Sequence, residues 1–533
     1  MNVLLITSDQ HRGDCYGFAG RRVRTPHLDR LRSEGTWMRN CITPSVVCQP
    51  ARASMLTGLL PLTHGVCDNG IDLDESFADR GFAAHLSRHG YHSAFIGKAH
   101  FSTYKTYAPT GRPECIESSA AFGADWYGPY MGFEHVELML IGHNWFLPEA
   151  PPRGLHYERW YHADGDGEQR NALYRTALPP DTGTPQTFHS ALPPAWHNTS
   201  WVTQRTIAFI RRHAAGRDRG ASTPFVLWAS YPDPHHPFDA PEPWSRLHAP
   251  ASVDIPVHRT RDLERRPWWH RASLESRSAD RPGYREIREA YSRMPELDER
   301  QLRELTANYY GMIAMIDDGV GRILRSLDDA GLADDTLVVF TADHGDWLGD
   351  HGLVLKGPMM YDGLLRVGAI VRGPGVVAGR TVEHPVSTLD LASTIADFAG
   401  ASAPGDHGAS WRGLLTDAPG AGESDPPRGE APVARDGFRD ARTRAVVLDE
   451  WQLGPARCGV ALDLRTAHDG RWRLTLERGS GAGELYDLRE DPHELDNRFD
   501  DPGCRSIRDA LVAAIDARPD DIRAPMPRPV GQA

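Results

Sequence analysis

Four groups capable of binding cations or moving protons stand just beyond short apolar runs of this sequence. Asp9 follows residues 3–6, His235 follows 225–228, and Asp343 with His344 follows 337–340. Carboxylates and imidazoles are the usual oxygen and nitrogen donors for divalent ions, and imidazole also serves as an acid or base near neutral pH. A thiol, Cys48, opens the segment Cys48-Gln49-Pro50-Ala51-Arg52-Ala53-Ser54-Met55-Leu56-Thr57-Gly58, which reads as a tight turn leading into a helix. Lysine is rare. Lys98, Lys105 and Lys356 are the only three in a chain that otherwise relies on arginine.

The elements that must hold these groups follow from hydrophobic spacing. The three runs above and a fourth, 367–371, are short, apolar and rich in β-branched residues, and they alternate with longer amphipathic stretches. That alternation predicts an α/β fold, a large, mixed, mostly parallel sheet flanked by helices. Ligands of open parallel sheets bind beyond the carboxyl ends of the strands, so Asp9, His235, Asp343 and His344 should meet on one rim. Apolar residues at three- and four-residue intervals predict a long helix over 299–330, stopped by Gly331, and a shorter one over 389–399. Residues 401–431, rich in Gly, Ala, Pro and Asp, read as a boundary loop. Beyond it, 444–448, 460–464 and 472–476 read as antiparallel strands, followed by the segment 484–488 and a helix over 506–517, a small α+β subdomain. The predicted organisation is therefore a catalytic domain over 1–405, with long insertions at about 101–200 and 239–295, and a second unit over 432–533. The insertions carry Trp126, Tyr127, Tyr130, Trp145, Trp268 and Trp269, which could stack a sugar or aryl group or simply pack.

Composition excludes other classes. The chain has 533 residues, 40% hydrophobic and 25% charged, with a formal charge of −13, which argues against nucleic acid as the main partner. No apolar run approaches the roughly 20 residues of a membrane span, and the start, Met1-Asn2-Val3-Leu4-Leu5-Ile6-Thr7, lacks a basic n-region and cleavage site; a cytoplasmic protein is expected. Seven scattered cysteines without CxxC or zinc-finger spacing make a disulfide framework unexpected, and six read as small buried hydrophobes.

The seventh is Cys48. Its segment resembles the signature of the type I sulfatases of the alkaline phosphatase superfamily, C-x-P-x-R followed by x-x-x-L-T-G, at every signature position. The resemblance implies that a formylglycine-generating enzyme oxidises Cys48 to formylglycine (3-oxoalanine), which hydrates to a geminal diol. A serine attacking a sulfate ester would leave a sulfated serine that water must attack again at sulfur. A sulfated aldehyde hydrate instead expels sulfate by C–O cleavage when its second hydroxyl loses a proton, which splits one hard step into two easier ones.

The resemblance also implies a divalent metal held by Asp9, Gln10, Asp343 and His344 beside Cys48. Here the sequence departs from the commonest sulfatase pattern, which has two aspartates at the first pair and Asp-Asn at the second. Gln10 and His344 are similar instead to the choline-sulfatase and phosphonate-monoester-hydrolase branch. Calcium is the family's usual ion; one carboxylate fewer and one nitrogen more make manganese the alternative. Lys98 and His100, in Gly97-Lys98-Ala99-His100-Phe101, resemble the sulfatase G-K-x-H segment. His235, in Pro234-His235-His236-Pro237, resembles its P-H-x-P segment, and Lys356 resembles the second active-site lysine. Their implied role is to bind the charged ester oxygens, with His100 or His235 as acid toward the leaving oxygen. Arg52 is expected to neutralise the nucleophile's surroundings and Asn69 to orient the ester.

The implied activity is hydrolysis of a sulfate monoester, small or oligomeric in its alcohol. The rivals are a phosphonate monoesterase or phosphodiesterase on the same machinery, a non-catalytic anion-binding protein with an unmodified Cys48, and, more weakly, a phosphomutase. Phosphonate monoester hydrolases tend to carry uncharged hydroxyl residues where Lys98 and His100 stand, which favours the sulfatase. A homo-oligomer is compatible with the insertions.

Overall fold

Strand β1, Asn2–Ser8, is buried along its whole length, as a near-continuous apolar strand paired on both edges must be. The computed structural model describes residues 1–142, 147–217, 219–220, 223–416 and 437–532. With β1 the central sheet contains β2 (Thr36–Met38), β3 (His92–Lys98), β4 (His135–Met139), β5 (Phe225–Tyr231), β6 (Thr336–Ala342), β7 (Ala369–Arg372) and β8 (Arg380–Val382), in the order β8-β2-β7-β6-β1-β5-β3-β4. Only β7 runs against the others, pairing antiparallel with both β2 and β6.

The two-residue period of the strands divides the core. Val3, Leu5, Val226, Trp228, Leu337 and Val339 face one side, with helices α1 (Cys48–Thr57) and α4 (Leu391–Phe398) packed there. Leu4, Ile6, Leu227, Val338 and Phe340 face the other, under α2 (Asn198–Arg217) and the long α3 (Glu299–Asp329). Helix α3 starts on a capping box: Asp298 Oδ1 accepts from Gln301 N at 2.7 Å, and Gln301 Oε1 accepts from Asp298 N at 3.1 Å.

Strands β9 (Val447–Leu453), β10 (Leu462–His468), β11 (Trp472–Glu477) and β12 (Gly483–Asp487) form an antiparallel sheet covered by α5 (Arg505–Asp516) through Leu474, Leu485, Leu511 and Ile515. The chain then returns to the main domain, where Gly531–Gln532 pairs antiparallel with Lys105–Thr106 and Val530 N donates to Gly70 O at 2.7 Å.

Three expectations change. The region 101–200 is not wholly an insertion, because β4 lies within it as an edge strand of the central sheet. Its alternating pattern, with Glu137 buried against Arg205 and Arg212, hides it from a search for apolar runs. The first strand of the second sheet begins at Val447 rather than at 444. Residues 401–416 of the expected boundary loop are partly packed: Trp411 is fully buried, and its Nε1 donates to Asp390 Oδ2 at 2.9 Å. The rest of that loop, 417–431, lies outside the described residues, as does Trp145. Among the described residues no helix is long and apolar enough to cross a membrane.

Candidate active site

The carboxyl ends of β1, β6, β3 and β5 and the amino end of α1 meet at one point. Asp9 and Asp343 follow adjacent parallel strands whose register pairs Ser8 with Ala342, so their side chains start side by side. Gln10 turns the chain sharply there with φ 63°, and its N–H donates to Asp343 Oδ1 at 3.1 Å. Cys48 is the first residue of α1, all ten residues of which are buried. Pro50 is tolerated because the first backbone N–H groups of a helix have no partner within it. One of them, Gln49 N, instead donates to Asn69 Oδ1 at 3.0 Å. Gly58 ends the helix in the left-handed conformation, φ 67°, where a Cβ would fall 2.1 Å from Asp406 Oδ2. Cys48 therefore points from a helix amino terminus, whose dipole favours a negative atom.

Cys48 Sγ lies 3.1 Å from His344 Nε2, 3.1 Å from Lys356 Nζ and 3.7 Å from Asp9 Oδ1. Lys356 Nζ also donates to Gln10 Oε1 at 3.0 Å. Burial and the neighbouring Asp9 oppose ionisation of the thiol, but Lys356, Lys98 and His344 prevail and lower it from the ordinary thiol value. Lys98 forms a short ion pair with Asp9 Oδ2. Burial alone would raise the Asp9 carboxyl; Lys98, Arg52 and Lys356 hold it well below the usual range.

Arg52 stands behind this cluster. Fully buried, it donates from Nε to Asp343 Oδ2 at 2.8 Å and from Nη1 to Lys98 O at 2.7 Å and Ser230 Oγ at 2.8 Å, while Nη2 lies 3.6 Å from Asp9 Oδ2. It fixes both carboxylates and the end of β3. His100 also has a left-handed backbone, φ 54°. The Glu114 carboxylate imposes it by accepting from three successive backbone N–H groups, those of His100, Phe101 (3.1 Å) and Ser102 (3.1 Å). Neither ring nitrogen of His100 has a hydrogen-bond partner among the described residues. Burial, then Lys98 and Arg52, push it well below the usual imidazole value, so it stands neutral. His235 Nδ1 donates to His236 O at 2.7 Å, which fixes its tautomer. The Nδ1 of its neighbour His236 lies 3.5 Å from Gln10 Nε2. One cavity is lined by Cys48, Asn69, Lys98, His100, His235 and Lys356 together with residues from the insertion and the C-terminal tail.

Donor atoms of Asp9, Cys48, Asp343 and His344 all lie within 4.8 Å of one another, and every one of these residues is buried. His344 Nδ1 donates to Gly345 O at 2.9 Å, which turns Nε2 toward the cluster in the way imidazole ligands are oriented. Two carboxylates, one oriented imidazole and the Gln10 amide oxygen at hand fit a divalent cation. A second donor group, His258, Asp262 and His351, is already occupied, because Arg266 donates to both Asp262 oxygens at 3.0 and 3.1 Å.

Several contributors were not singled out in the sequence. Asp346 accepts from Gln10 Nε2 at 2.6 Å and from the backbone of Leu348 and Leu355, and Tyr309 donates to Gln10 O at 2.7 Å. Ser230 and Glu114 brace Arg52 and His100. No local signal marks these four; Asp346 alone falls within the segment from Asp343 to Lys356. The insertion aromatics mostly pack: Trp269 is fully buried, Trp126 is part of the core edge and Tyr130 donates to Glu114 Oε1 at 2.7 Å; of the described insertion aromatics it is Tyr291, not Trp126, Tyr127, Tyr130, Trp268 or Trp269, that lines the cavity.

Comparison with known proteins agrees with this geometry. The sulfatase family model matches residues 1–401. The chain is 29% identical to the multifunctional alkaline phosphatase superfamily protein PehA of Trinickia caryophylli, over 97% of this chain and 95% of that one. It is 28% identical to an arylsulfatase of Clostridium perfringens, over 78% of each. Among solved structures it superposes on the phosphonate monoester hydrolase of Agrobacterium radiobacter with a TM-score of 0.71, at 25% identity over 96% of this chain and 94% of that one. The mixed sheet, the strand-end cluster around Cys48 and the matched model together place this chain in the sulfatase family of the alkaline phosphatase superfamily.

Proposed function

We propose that the protein hydrolyses a sulfate monoester with Cys48, matured to formylglycine, as the nucleophile. The observation that carries this reading is the position of Cys48 Sγ at the amino end of α1, within 3.1 Å of both His344 Nε2 and Lys356 Nζ and beside Asp9. An oxygen replacing that sulfur would be held where negative charge is favoured. Once hydrated, formylglycine supplies two hydroxyls on one carbon, one to attack and one to drive release. Asp9, Gln10, Asp343 and His344 would hold a divalent metal, which supplies Lewis acidity toward the nucleophile and the ester oxygens. Its identity, calcium or manganese, is open to reconstitution of chelated enzyme with each ion.

The chain's own groups do the rest. Lys98 and Lys356 meet the charge of the ester from two sides, and His235 borders the same space. His100, held by Glu114 in an otherwise unfavourable backbone conformation, presents a neutral imidazole whose single N–H can donate to the leaving oxygen. Asn69 supports the nucleophile through Gln49 N and lines the cavity. Arg52 fixes Asp9 and Asp343 and helps hold the Asp9 carboxyl below the usual range. Maturation requires a formylglycine-generating enzyme.

A phosphonate monoesterase or phosphodiesterase is the second reading, favoured by Gln10 and His344 and by the superposition on a phosphonate monoester hydrolase. Lys98 and His100, standing where phosphonate monoester hydrolases tend to carry uncharged hydroxyl residues, favour the sulfate. Turnover of an aryl sulfate against the matching aryl phosphonate monoester decides between them; a preference for the phosphonate by orders of magnitude would reverse the assignment.

A further inference from the structure

The cavity holds more positive charge than one sulfate ester requires. Its lining includes five cationic side chains, Lys98, Lys105, Arg288, Lys356 and Arg457, and no carboxylate among the described residues. Lys98 and Lys356 belong to the ester site. The other three come from elsewhere: Lys105 from the short strand that pairs with Gly531–Gln532, Arg288 from the helix Pro282–Tyr291 of the insertion, and Arg457 from the turn after β9.

The acidic partners of the two arginines do not line the cavity. Arg457 Nε donates to Asp68 Oδ2 at 2.9 Å and its Nη2 lies 2.7 Å from Asp68 Oδ1, while Arg288 Nε donates to Asp280 Oδ2 at 3.1 Å. Asp68 is itself fixed by Trp451 Nε1 and by Asn69 N, and Asp280 by Tyr107 OH at 2.8 Å. Each carboxylate thus orients a guanidinium. The two arginines are close enough to oppose each other: burial and then Arg457 pull Arg288 below the usual guanidinium range. Arg288 is buried, and a neutral alcohol docking over these cations would strip their remaining water and return nothing. An oxyanion would receive charge-assisted hydrogen bonds from guanidinium groups whose planar fork suits it. Ile141, Ile287 and Tyr291 supply an apolar wall along the same cavity.

We propose that Lys105, Arg288 and Arg457 form a second anion subsite, so that the substrate is a sulfate monoester whose alcohol carries a further oxyanion group on a compact apolar body. This inference rests on the sulfatase reading and specifies the alcohol half of its substrate.

The test compares 3- and 4-carboxyphenyl sulfate with the corresponding carboxamides, and 3- and 4-sulfophenyl sulfate with the corresponding sulfonamides, on enzyme matured at Cys48. A carboxylate or sulfonate withdraws electrons less than its neutral amide, so leaving-group chemistry alone favours the amide. The second subsite predicts the opposite, at least about a tenfold higher kcat/KM for the anion in one of the pairs, the ratio that about 1.4 kcal/mol gives. That ratio should fall toward one in Lys105→Gln and in Arg457→Gln. Lys105 is only half-buried, so its variant keeps the test open if loss of the Asp68 partner unfolds the other. Hydrolysis of anion and amide at equal rates in every pair would overturn the second subsite and leave the sulfatase reading intact, as would a ratio unchanged in both variants. No hydrolysis of any aryl sulfate would overturn both.

Discussion

Replacing Asp346 by asparagine tests how the loop after β6 aims Lys356. Asp346 is fully buried; Oδ1 accepts from Leu348 N at 2.7 Å and Leu355 N at 3.0 Å, and Oδ2 accepts from Gln10 Nε2 at 2.6 Å. A carboxylate can only accept, so Gln10 must turn its NH₂ toward Asp346 and its Oε1 toward Lys356, 3.0 Å away. In Asp346→Asn the oxygen stays with the two backbone N–H groups and the new NH₂ meets the NH₂ of Gln10. Either two donors face each other or Gln10 flips and presents its NH₂ to the Lys356 ammonium. The first loses the charge-assisted hydrogen bond from Gln10 to Asp346 that aims the Gln10 oxygen, and the second loses the one from Lys356 to Gln10; either is worth about 1.5–3 kcal/mol, or about 10- to 150-fold in kcat/KM. Burial raises Asp346 to about 6, so an assay at pH 8 compares the ionised wild type with its neutral isostere. The measurement is kcat/KM for an aryl sulfate, with the urea midpoint recorded to confirm folding. A variant that folds normally and stays within about threefold of wild type, against the tenfold lower bound, would refute this positioning role.

Three further outcomes follow from the same geometry. Cys48→Ser, with one hydroxyl in place of two, should release about one equivalent of alcohol and then stall, because the sulfated side chain has no second hydroxyl to expel sulfate; steady turnover in a quenched-flow assay would contradict it. Arg52→Met leaves Asp9 and Asp343 buried without their guanidinium and should cost about 3–5 kcal/mol of stability in denaturant unfolding; a change below about 1 kcal/mol would show that the pair is compensated elsewhere. Asp317 accepts from the backbone of His27 and Leu28, and burial raises it to about 7. The folded state holds this proton more tightly than the unfolded one, so the contribution is complete below about pH 4 and is lost as pH rises through about 7. Asp317→Asn should flatten that part of the stability–pH curve, whereas an unchanged slope would assign it to other groups.

The sequence made the centre of the site readable and left its supports hidden, for a physical reason. Asp9, Asp343 and His344 end apolar runs that could only be buried central strands, so sheet topology alone brings them together. Cys48 stands in an eleven-residue segment whose Pro50, Arg52 and Gly58 each meet a requirement visible in the structure: a helix start, a buried counter-charge and a left-handed stop. The long α3 is legible from its spacing because one face is core. Strand β4 was not, because an edge strand with Glu137 and His135 inside lacks an apolar run. Glu114, Ser230, Asp346 and Tyr309 act through contacts spanning from 12 to more than 300 positions along the chain. No pattern local to any of them signals such a pairing. The surplus cations Arg288 and Arg457 looked like two more arginines in an arginine-rich chain until the fold brought them to the cavity of Cys48.

The most direct test of the central claim is the mass of the tryptic peptide 40–52, Asn40 to Arg52, from protein produced with a formylglycine-generating enzyme and alkylated before digestion. This peptide contains two cysteines, Cys41 and Cys48, and so carries its own control. Cys41 is buried in the core and its thiol is raised well above the ordinary value by burial, which gives it no chemistry to perform. The account predicts an alkylated Cys41 and, at Cys48, an aldehyde in which one oxygen has replaced the sulfur and two hydrogens. Alkylated thiols at both positions, in protein that still hydrolyses an aryl sulfate, would contradict it.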